Sequence, residues 1–257
     1  IWNALQKFCE RDPEAFVAYY KNPVLRFVSE AWLGPFFQVT SQVNIIKPGG
    51  QAQQPHRDYH LGFQQDSFIA EFPIATQIFS QLLTLQGAVA HTAMDISSGP
   101  TLLLPFSQQY KLGYMAWRDP EFIDYFQQNA VQLPLNKGDA VFFSPALFHA
   151  GGNNTESNDR IANLLQVSSA FGKPMESSDR TKMTKLIYPL LLAGTYSKKL
   201  SSDETKAVCT AVVDAYSFPT NLDYDSPTEG SAPETVEALM ERALNEEWPA
   251  DRFYECL

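Results

Sequence analysis

The chain has 257 residues, of which 44% are hydrophobic and 13% aromatic, enough apolar surface to fill one sizeable core. No run of eighteen apolar residues occurs, so we expect no membrane-spanning segment and no membrane partner. The formal net charge of −10 disfavours nucleic acid as a partner, because proteins that bind it present a basic face.

The acidic charge is unevenly distributed along the chain. Residues 1–200 contain sixteen acidic and sixteen basic side chains, whereas residues 201–257 contain thirteen acidic and three basic ones. The three cysteines are far apart and odd in number, which favours a reducing compartment, and we expect a cytoplasmic protein. Because the first residue is isoleucine, we also expect that the natural N-terminus lies upstream, with any targeting segment.

The predicted elements begin with helical segments in residues 3–20, where Asp12 and Pro13 indicate a restart. β-branched and aromatic runs then predict strands at residues 36–50, 82–90, 101–106, 131–135, 139–143 and 160–171. A helix is predicted at residues 118–130, with Asp119 as its N-cap. Helical spacing returns at residues 180–194, 201–216 and 233–247, with a capping box at 201–204 and a turn-rich segment at 218–233.

Many short strands flanked by helices predict a mainly β fold, either a sandwich or a small barrel with helical cover. We expect one domain over residues 1–257. Its β core would span about residues 36–171, and an acidic helical extension would span about residues 172–257.

The segment PHRDYH at residues 55–60 holds two of the four histidines of the chain. A helical zinc motif of the H-E-x-x-H type does not fit, because Arg57 follows His56 directly and the nearby prolines and glycines disfavour a helix. In an extended strand His56 and Asp58 point to one face while Arg57 points away. A second histidine would complete a 2-His-1-carboxylate set typical of non-haem Fe(II) oxygenases.

His149 is the candidate for that second histidine, since it ends an apolar segment and precedes the turn-rich residues 151–159. Arg160 begins the next strand, and pairing of the two strands as a hairpin would bring Arg160 close to His149. A buried arginine requires an anionic partner, which the carboxylate of a small ligand would supply. Ala162 would lie on the same face and leave room for that ligand.

Three segments resemble the phytanoyl-CoA dioxygenase family of Fe(II)/2-oxoglutarate oxygenases over residues 36–171. They are PHRD at 55–58, GDAVFFSPALFHAGGNNT at 138–155 and NDRIANLLQVS at 158–168. A fourth segment, residues 97–113, is similar to a family segment that usually reads N-G-x-L-x-x-x-P-G-S-H-K. Here Phe106 replaces its glycine and Gln108 its histidine, so the substrate class does not transfer with the motif.

The resemblance implies a double-stranded β-helix (a cupin-like jelly roll) with Fe(II) bound by His56, Asp58 and His149. It also implies that Arg160 binds the distal carboxylate of 2-oxoglutarate, aided by a polar residue on an early strand. The sequence leaves the choice of that polar residue open among Gln42, Asn44 and Gln54.

The implied reaction consumes 2-oxoglutarate and O2, releases succinate and CO2, and hydroxylates an unactivated C–H bond of a small metabolite. The carboxylate of Asp58 favours hydroxylation over halogenation, because related halogenases have glycine or alanine at that position.

Candidate substrate contacts are His60, which shares the strand parity of His56, and the aromatic residues Tyr59 and Trp117. A structural role is the alternative for each. Two other functions stay open: a non-catalytic metal-binding or sensing protein on the same barrel, and a cupin-type metalloenzyme that uses no 2-oxo acid. The second would require His60 or His91 as an additional ligand. A small molecule is the expected partner, and the sequence leaves its identity and the oligomeric state open.

Overall fold

The computed structural model describes residues 1–196, 199–216 and 232–257, so most of the turn-rich segment predicted at 218–233 lies outside the described residues. The chain divides into two compact units, Ile1–Trp2 with Ser41–Gln166, and Asn3–Thr40 with Val167–Leu257. The strands are β1 (Gln38–Ile46), β2 (Thr84–Ala90), β3 (Leu102–Leu103), β4 (Val131–Gln132), β5 (Ala140–Phe143), β6 (His149–Ala150) and β7 (Arg160–Ser168). The helices are α1 (Ala4–Arg11), α2 (Pro13–Tyr20), α3 (Val24–Leu33), α4 (Asp66–Ile69), α5 (Ile74–Ser80), α6 (Gly113–Ala116), α7 (Pro120–Asn129), α8 (Arg180–Tyr196), α9 (Ser202–Val212), α10 (Val236–Asn245) and α11 (Ala250–Tyr254).

Two β-sheets form the core of the first unit. One has the strand order β1-β7-β2-β5, and the other has the order β4-β3-β6. The pairs β2–β5, β3–β4 and β3–β6 are antiparallel, and helices α4 to α7 belong to the same unit. This arrangement confirms the prediction of a mainly β core with flanking helices.

Several predicted strands are shorter in the structure than in the prediction, because prolines interrupt them. The strand predicted at residues 101–106 is reduced to β3, and the one predicted at 131–135 is reduced to β4. Pro105 and Pro134 follow closely, and a proline has no backbone N–H to donate to a neighbouring strand. Phe106 then takes a left-handed conformation with φ of 66°, which ends the extended run after β3.

The predicted hairpin between the strands of His149 and Arg160 is wrong. Strand β6 pairs with β3, whereas β7 lies between β1 and β2 in the other sheet. The connecting residues 151–159 cross between sheets, because the buried Asn154 fixes them: its side chain donates to the carbonyls of Ile46 and Asn158, both at 2.9 Å.

The second unit is helical and contains α1 to α3 and α8 to α11. The helices predicted in residues 3–20, 180–194, 201–216 and 233–247 are confirmed. Asp12 caps α2 by accepting from the backbone of Ala15, and Ser201 and Glu204 form the expected capping box of α9. Fully buried apolar side chains include Leu5, Phe16, Met183, Ile187, Val208, Met240 and Phe253. No described helix is both long enough and apolar enough to cross a bilayer.

Candidate metal centre

Two predicted ligands face each other across a short backbone bridge. The N–H of His56 donates to the carbonyl of His149 at 3.0 Å, and the reverse bond has the same length. The two imidazole rings lie 4.6 Å apart, centroid to centroid. The N–H of Asp58 donates to the carbonyl of Pro145 at 3.1 Å, which fixes the carboxylate beside the rings. Backbone pairing therefore brings together three side chains from two distant parts of the sequence.

The ligand atoms of these side chains converge on one small region. His56 Nε2 lies 3.4 Å from Asp58 Oδ1, and His149 Nε2 lies 3.2 Å from Asp58 Oδ2. One ligand atom from each of the three residues lies within 4.8 Å of the other two. All three side chains are largely withdrawn from solvent. Two nitrogens and a carboxylate at this spacing can hold a divalent metal ion.

The Nδ1 atom of each imidazole ring forms a hydrogen bond with a backbone carbonyl. His56 Nδ1 lies 2.7 Å from the carbonyl oxygen of Gln54, and His149 Nδ1 lies 2.8 Å from that of Leu147. A carbonyl oxygen only accepts, so both rings carry a proton on Nδ1 and, when neutral, present a lone pair on Nε2. Such bonds orient metal-binding histidines in many proteins. In the neutral form these lone pairs repel the carboxylate of Asp58, and either a proton on Nε2 or a metal ion between the atoms removes the repulsion.

Burial and charge favour the protonation states that a metal requires. Burial lowers the pKa of His56, and the charge of His149 adds to this effect, against the opposing influence of Asp58 and the Gln54 carbonyl. Burial alone would raise the pKa of Asp58. The hydrogen bond and charge of His149, the charge of His56 and a bond from Gln86 outweigh burial, so the pKa of Asp58 is lowered. A neutral imidazole and an ionised carboxylate are the metal-binding forms.

Arg160 lies in the same unit, where its partners among the described residues are backbone carbonyls. Its Nη1 donates to the carbonyls of Ser98 at 3.3 Å and Gly152 at 3.5 Å. Among the described residues, no carboxylate lies within 4.0 Å of its buried guanidinium, and burial lowers its pKa. The side chain lines a cavity of about 30 Å³ together with Asn44, Ala162 and mainly apolar residues. An anion would satisfy this cation.

The phytanoyl-CoA dioxygenase (PhyH) family model matches residues 6–162 of the chain. The chain belongs to this family. It is 26% identical over 144 residues to the dioxygenase cdmD of Talaromyces verruculosus, a match that covers 56% of this chain and 43% of cdmD. The chain therefore spans less than half the length of that relative.

Solved structures with partial likeness to this PhyH-family chain include two non-haem enzymes. SnoN is described as an alpha-ketoglutarate-dependent epimerase from nogalamycin biosynthesis. It is 16% identical, with 66% of this chain and 60% of SnoN covered and a TM-score of 0.46. The nickel complex of the monooxygenase ThoJ is 17% identical, with 62% of this chain and 55% of ThoJ covered and a TM-score of 0.42.

The three early-strand candidates for co-substrate binding lie in different surroundings in this PhyH-family chain. Asn44 lines the cavity of Arg160 and Ala162. The side chain of Gln54 is exposed, while its carbonyl accepts from His56. Gln42 is half-buried and is not among the residues that line the cavity. Of the three, only Asn44 shares the cavity with Arg160.

The candidate substrate contacts are also placed differently from one another. Tyr59 is buried, His60 is exposed, and both have positive φ angles of 64° and 40°. The chain therefore turns after Asp58, so the strand parity expected to continue to His60 is wrong. Trp117 is half-buried and packs against a cluster that includes Phe148. Contact with a substrate stays a prediction for all three.

Gln86 is a site residue that the sequence analysis missed. Its side-chain amide on β2 donates to Oδ2 of Asp58, while Oδ1 of Asp58 is buried and accepts no hydrogen bond from a described residue. A second missed residue is Phe143, whose ring lies edge-on to His149 at 5.1 Å. The available signal was a glutamine inside the apolar strand TLQGAVA, since a buried amide requires a polar partner.

Proposed function

We propose that this chain is an Fe(II)- and 2-oxoglutarate-dependent dioxygenase that hydroxylates an unactivated C–H bond of a small metabolite. The observation that carries the proposal is the convergence of His56, Asp58 and His149, with both Nε2 atoms facing a carboxylate. Membership of the PhyH family supports the same reaction class.

The donor set fits iron. The buried Oδ1 of Asp58 lacks a hydrogen-bond donor among the described residues, and the neutral form of each histidine directs a lone pair toward the carboxylate. A cation between these atoms would remove the repulsion and satisfy Oδ1. Two histidines and one carboxylate leave the positions for a co-substrate and O2 free. When bound, Fe(II) with 2-oxoglutarate would supply the oxidising chemistry, and the protein would supply position and protection.

The surroundings of Arg160 fit a dicarboxylate. The guanidinium is buried, and its partners within the described part of the chain are neutral carbonyls, so the distal carboxylate of 2-oxoglutarate would neutralise it through a bidentate contact. Asn44 is the polar residue best placed to assist, and Ala162 keeps that wall small. The cavity of about 30 Å³ is smaller than a five-carbon diacid, so binding would require its lining side chains to move apart.

We also propose that the two sheets are the halves of a double-stranded β-helix. In support, β6, which carries His149, and β7, which carries Arg160, belong to different sheets of one unit. A small molecule held inside such a barrel would contact a metal bound by one sheet and an arginine from the opposite sheet.

The test is anaerobic loading with Fe(II) and 2-oxoglutarate, followed by exposure to O2 and measurement of succinate. Wild-type protein should bind iron and form succinate, while His56→Ala and His149→Ala should each lose both. The matched control is His91→Ala, an exposed histidine outside the ligand group. Iron binding that survives in His149→Ala, or is lost equally in the control, contradicts the proposed ligand set.

A second function, a metal-binding sensor without turnover, is favoured by Phe106 and Gln108, which depart from the family motif. Tight 2-oxoglutarate binding with no oxygen uptake would support it. The cupin-type alternative finds less support, since neither His60 nor His91 belongs to the group of potential metal ligands among the described residues.

A further inference from the structure

Arg57 lies between two proposed ligands, and its side chain is completely buried, with 0% exposure. Among the described residues, no carboxylate lies within 4.0 Å of its guanidinium, and its Nε has no hydrogen-bond partner. The group is held between the rings of Tyr114, at 5.3 Å, and Phe148, at 5.0 Å. A buried cation without an anion is costly, so its other contacts must account for its position.

Those contacts are carbonyl groups of one loop, residues 104–112, which connects β3 to α6. Arg57 Nη2 donates to the carbonyls of Ser107 at 2.5 Å and Tyr110 at 3.0 Å. With its amide oxygen turned toward the guanidinium, Gln81 accepts from Nη1 at 2.9 Å and donates to the Gln108 carbonyl at 3.1 Å. One side chain thus binds three carbonyls of the loop, two directly and one through Gln81.

The same loop is also held from the side of the third ligand. Leu103 pairs with His149, and the loop begins at the next residue. The N–H of Leu104 donates to the Phe148 carbonyl at 2.9 Å, and the N–H of Phe148 donates to Ser107 Oγ at 2.8 Å. The loop is therefore anchored to immediate chain neighbours of all three proposed ligands.

Apart from its own turn hydrogen bonds and the packing of Leu104 and Tyr110 against neighbouring side chains, the loop is mostly exposed. Phe106 is 74% exposed and left-handed, and residues Ser107–Gln109 form a single 3-10 turn without a side-chain cap. Gly113, the first residue of α6, fits against Arg57 so closely that a Cβ atom there would lie 1.9 Å from the Arg57 Cζ. Only glycine leaves the space that the guanidinium occupies, which marks Arg57 and Gly113 as an interlocked pair.

We propose that Arg57 is a positioning residue that ties the 104–112 loop to the segment carrying His56 and Asp58. Its guanidinium donates from two separate nitrogens, from Nη2 to two loop carbonyls and from Nη1 to Gln81, a spread of donors that one ammonium cannot reproduce. The loop then forms a wall of defined position beside the metal centre. That last role rests on the proposed function, whereas the anchoring does not.

The loop contains a protease site that reports on its anchoring. Lys111 is exposed and lies within the loop, while Lys137 is exposed and lies outside it, so trypsin cleavage at the two sites compares local with global opening. In Arg57→Met, cleavage after Lys111 should accelerate about tenfold, because the carbonyls of Ser107 and Tyr110 lose charged donors. Cleavage after Lys137 should not change.

Further variants keep the test decisive. Gly113→Ala should have the same effect as Arg57→Met, because its Cβ displaces the guanidinium while the sequence of the segment carrying His56 and Asp58 is unchanged. Arg57→Lys should give an intermediate rate. The matched control is Arg118→Met, which removes an arginine stacked on Trp117 at 4.0 Å and should leave Lys111 cleavage unchanged.

Co(II) affinity, measured spectroscopically, serves as the second readout and should stay within about threefold of wild type in Gly113→Ala. Unchanged Lys111 cleavage in both Arg57→Met and Gly113→Ala would overturn the proposal. Equal acceleration at Lys111 and Lys137 in both would also overturn it, because it would show a general loss of stability. If wild-type protein fails to bind Co(II) while Lys111 responds as expected, the metal function fails and the anchoring stands.

Discussion

Gln86→Leu is the most informative substitution at the candidate metal centre. Gln86 is buried on β2, and its amide donates to the ionised Asp58 at the oxygen that also faces His149. Leucine fills a similar volume and removes the donor. The lowered pKa of Asp58, to which this bond contributes, should rise, and the carboxylate should be free to rotate away from the histidines.

The hydrogen bond that Gln86→Leu removes sets the expected loss of metal affinity, and the acceptor that it also removes limits the loss of stability. A hydrogen bond to a charged group contributes roughly 1.5–3 kcal/mol, which corresponds to about a 10- to 150-fold loss of metal affinity. The fold itself should lose much less. The Gln86 Oε1 is buried and has no hydrogen-bond partner among the described residues, so leucine also removes an unsatisfied acceptor. We therefore expect the free energy of unfolding of the metal-free protein to change by less than about 1 kcal/mol.

The assay is competitive Co(II) titration together with urea unfolding of the metal-free protein. Gln132→Leu is the matched control, because Gln132 is also a strand glutamine but donates to the Pro100 carbonyl, at 2.6 Å, and not to a proposed ligand. Metal affinity within twofold of wild type in Gln86→Leu would refute the argument that this bond orients Asp58. A loss of affinity in the control of the same size would refute its specificity.

Three further predictions concern the co-substrate, pH and backbone strain. Arg160→Ala should weaken 2-oxoglutarate binding by about 100-fold with little change in Co(II) affinity, measured by calorimetry on the metal-loaded protein. Because burial lowers the pKa of His56 in the folded protein, the free energy of unfolding of the metal-free protein should decrease as the pH falls below 6.5, the ordinary pKa of histidine. Below that pH the unfolded chain binds a proton at His56 more readily than the folded chain does. Above pH 6.5 His56 should have no effect on the pH dependence. Below pH 3.8 the protonation of Asp58 should decrease the free energy of unfolding further. Urea unfolding at a series of pH values measures this dependence, and His56→Asn should reduce the change of the unfolding free energy with pH just below pH 6.5. Phe106→Gly should stabilise the chain by about 1 kcal/mol, because it relieves a left-handed phenylalanine whose ring is mostly exposed; a lower unfolding midpoint would contradict this.

Residue type and spacing were sufficient to predict the three proposed metal ligands. His56 and Asp58 are two positions apart, and His149 lies beside a strong turn signal, so local patterns carry most of that information. The same holds for helices with clear caps, such as α2 and α9. These features depend on neighbours within a few residues, which a sequence displays directly.

The features that the sequence did not predict depend on distant partners. Strand β6 pairs with β3 and not with β7, and Asn154, whose bond to Ile46 spans 108 positions, holds the connection between β6 and β7. Alternation indicates that Arg57 points away from its neighbours, but its burial depends on Gly113 and on two aromatic rings. Helical spacing likewise predicts the N-terminal and C-terminal helices but not that they share one compact unit.

The imidazoles of His56 and His149 each take their direction from a carbonyl two positions earlier in the chain, Gln54 and Leu147. Each short segment therefore orients its own imidazole ring, and this orientation does not require a bound metal ion. We expect the chain to fold before it binds a metal ion, so that folded, metal-free protein should bind added Co(II) without a change in its secondary structure.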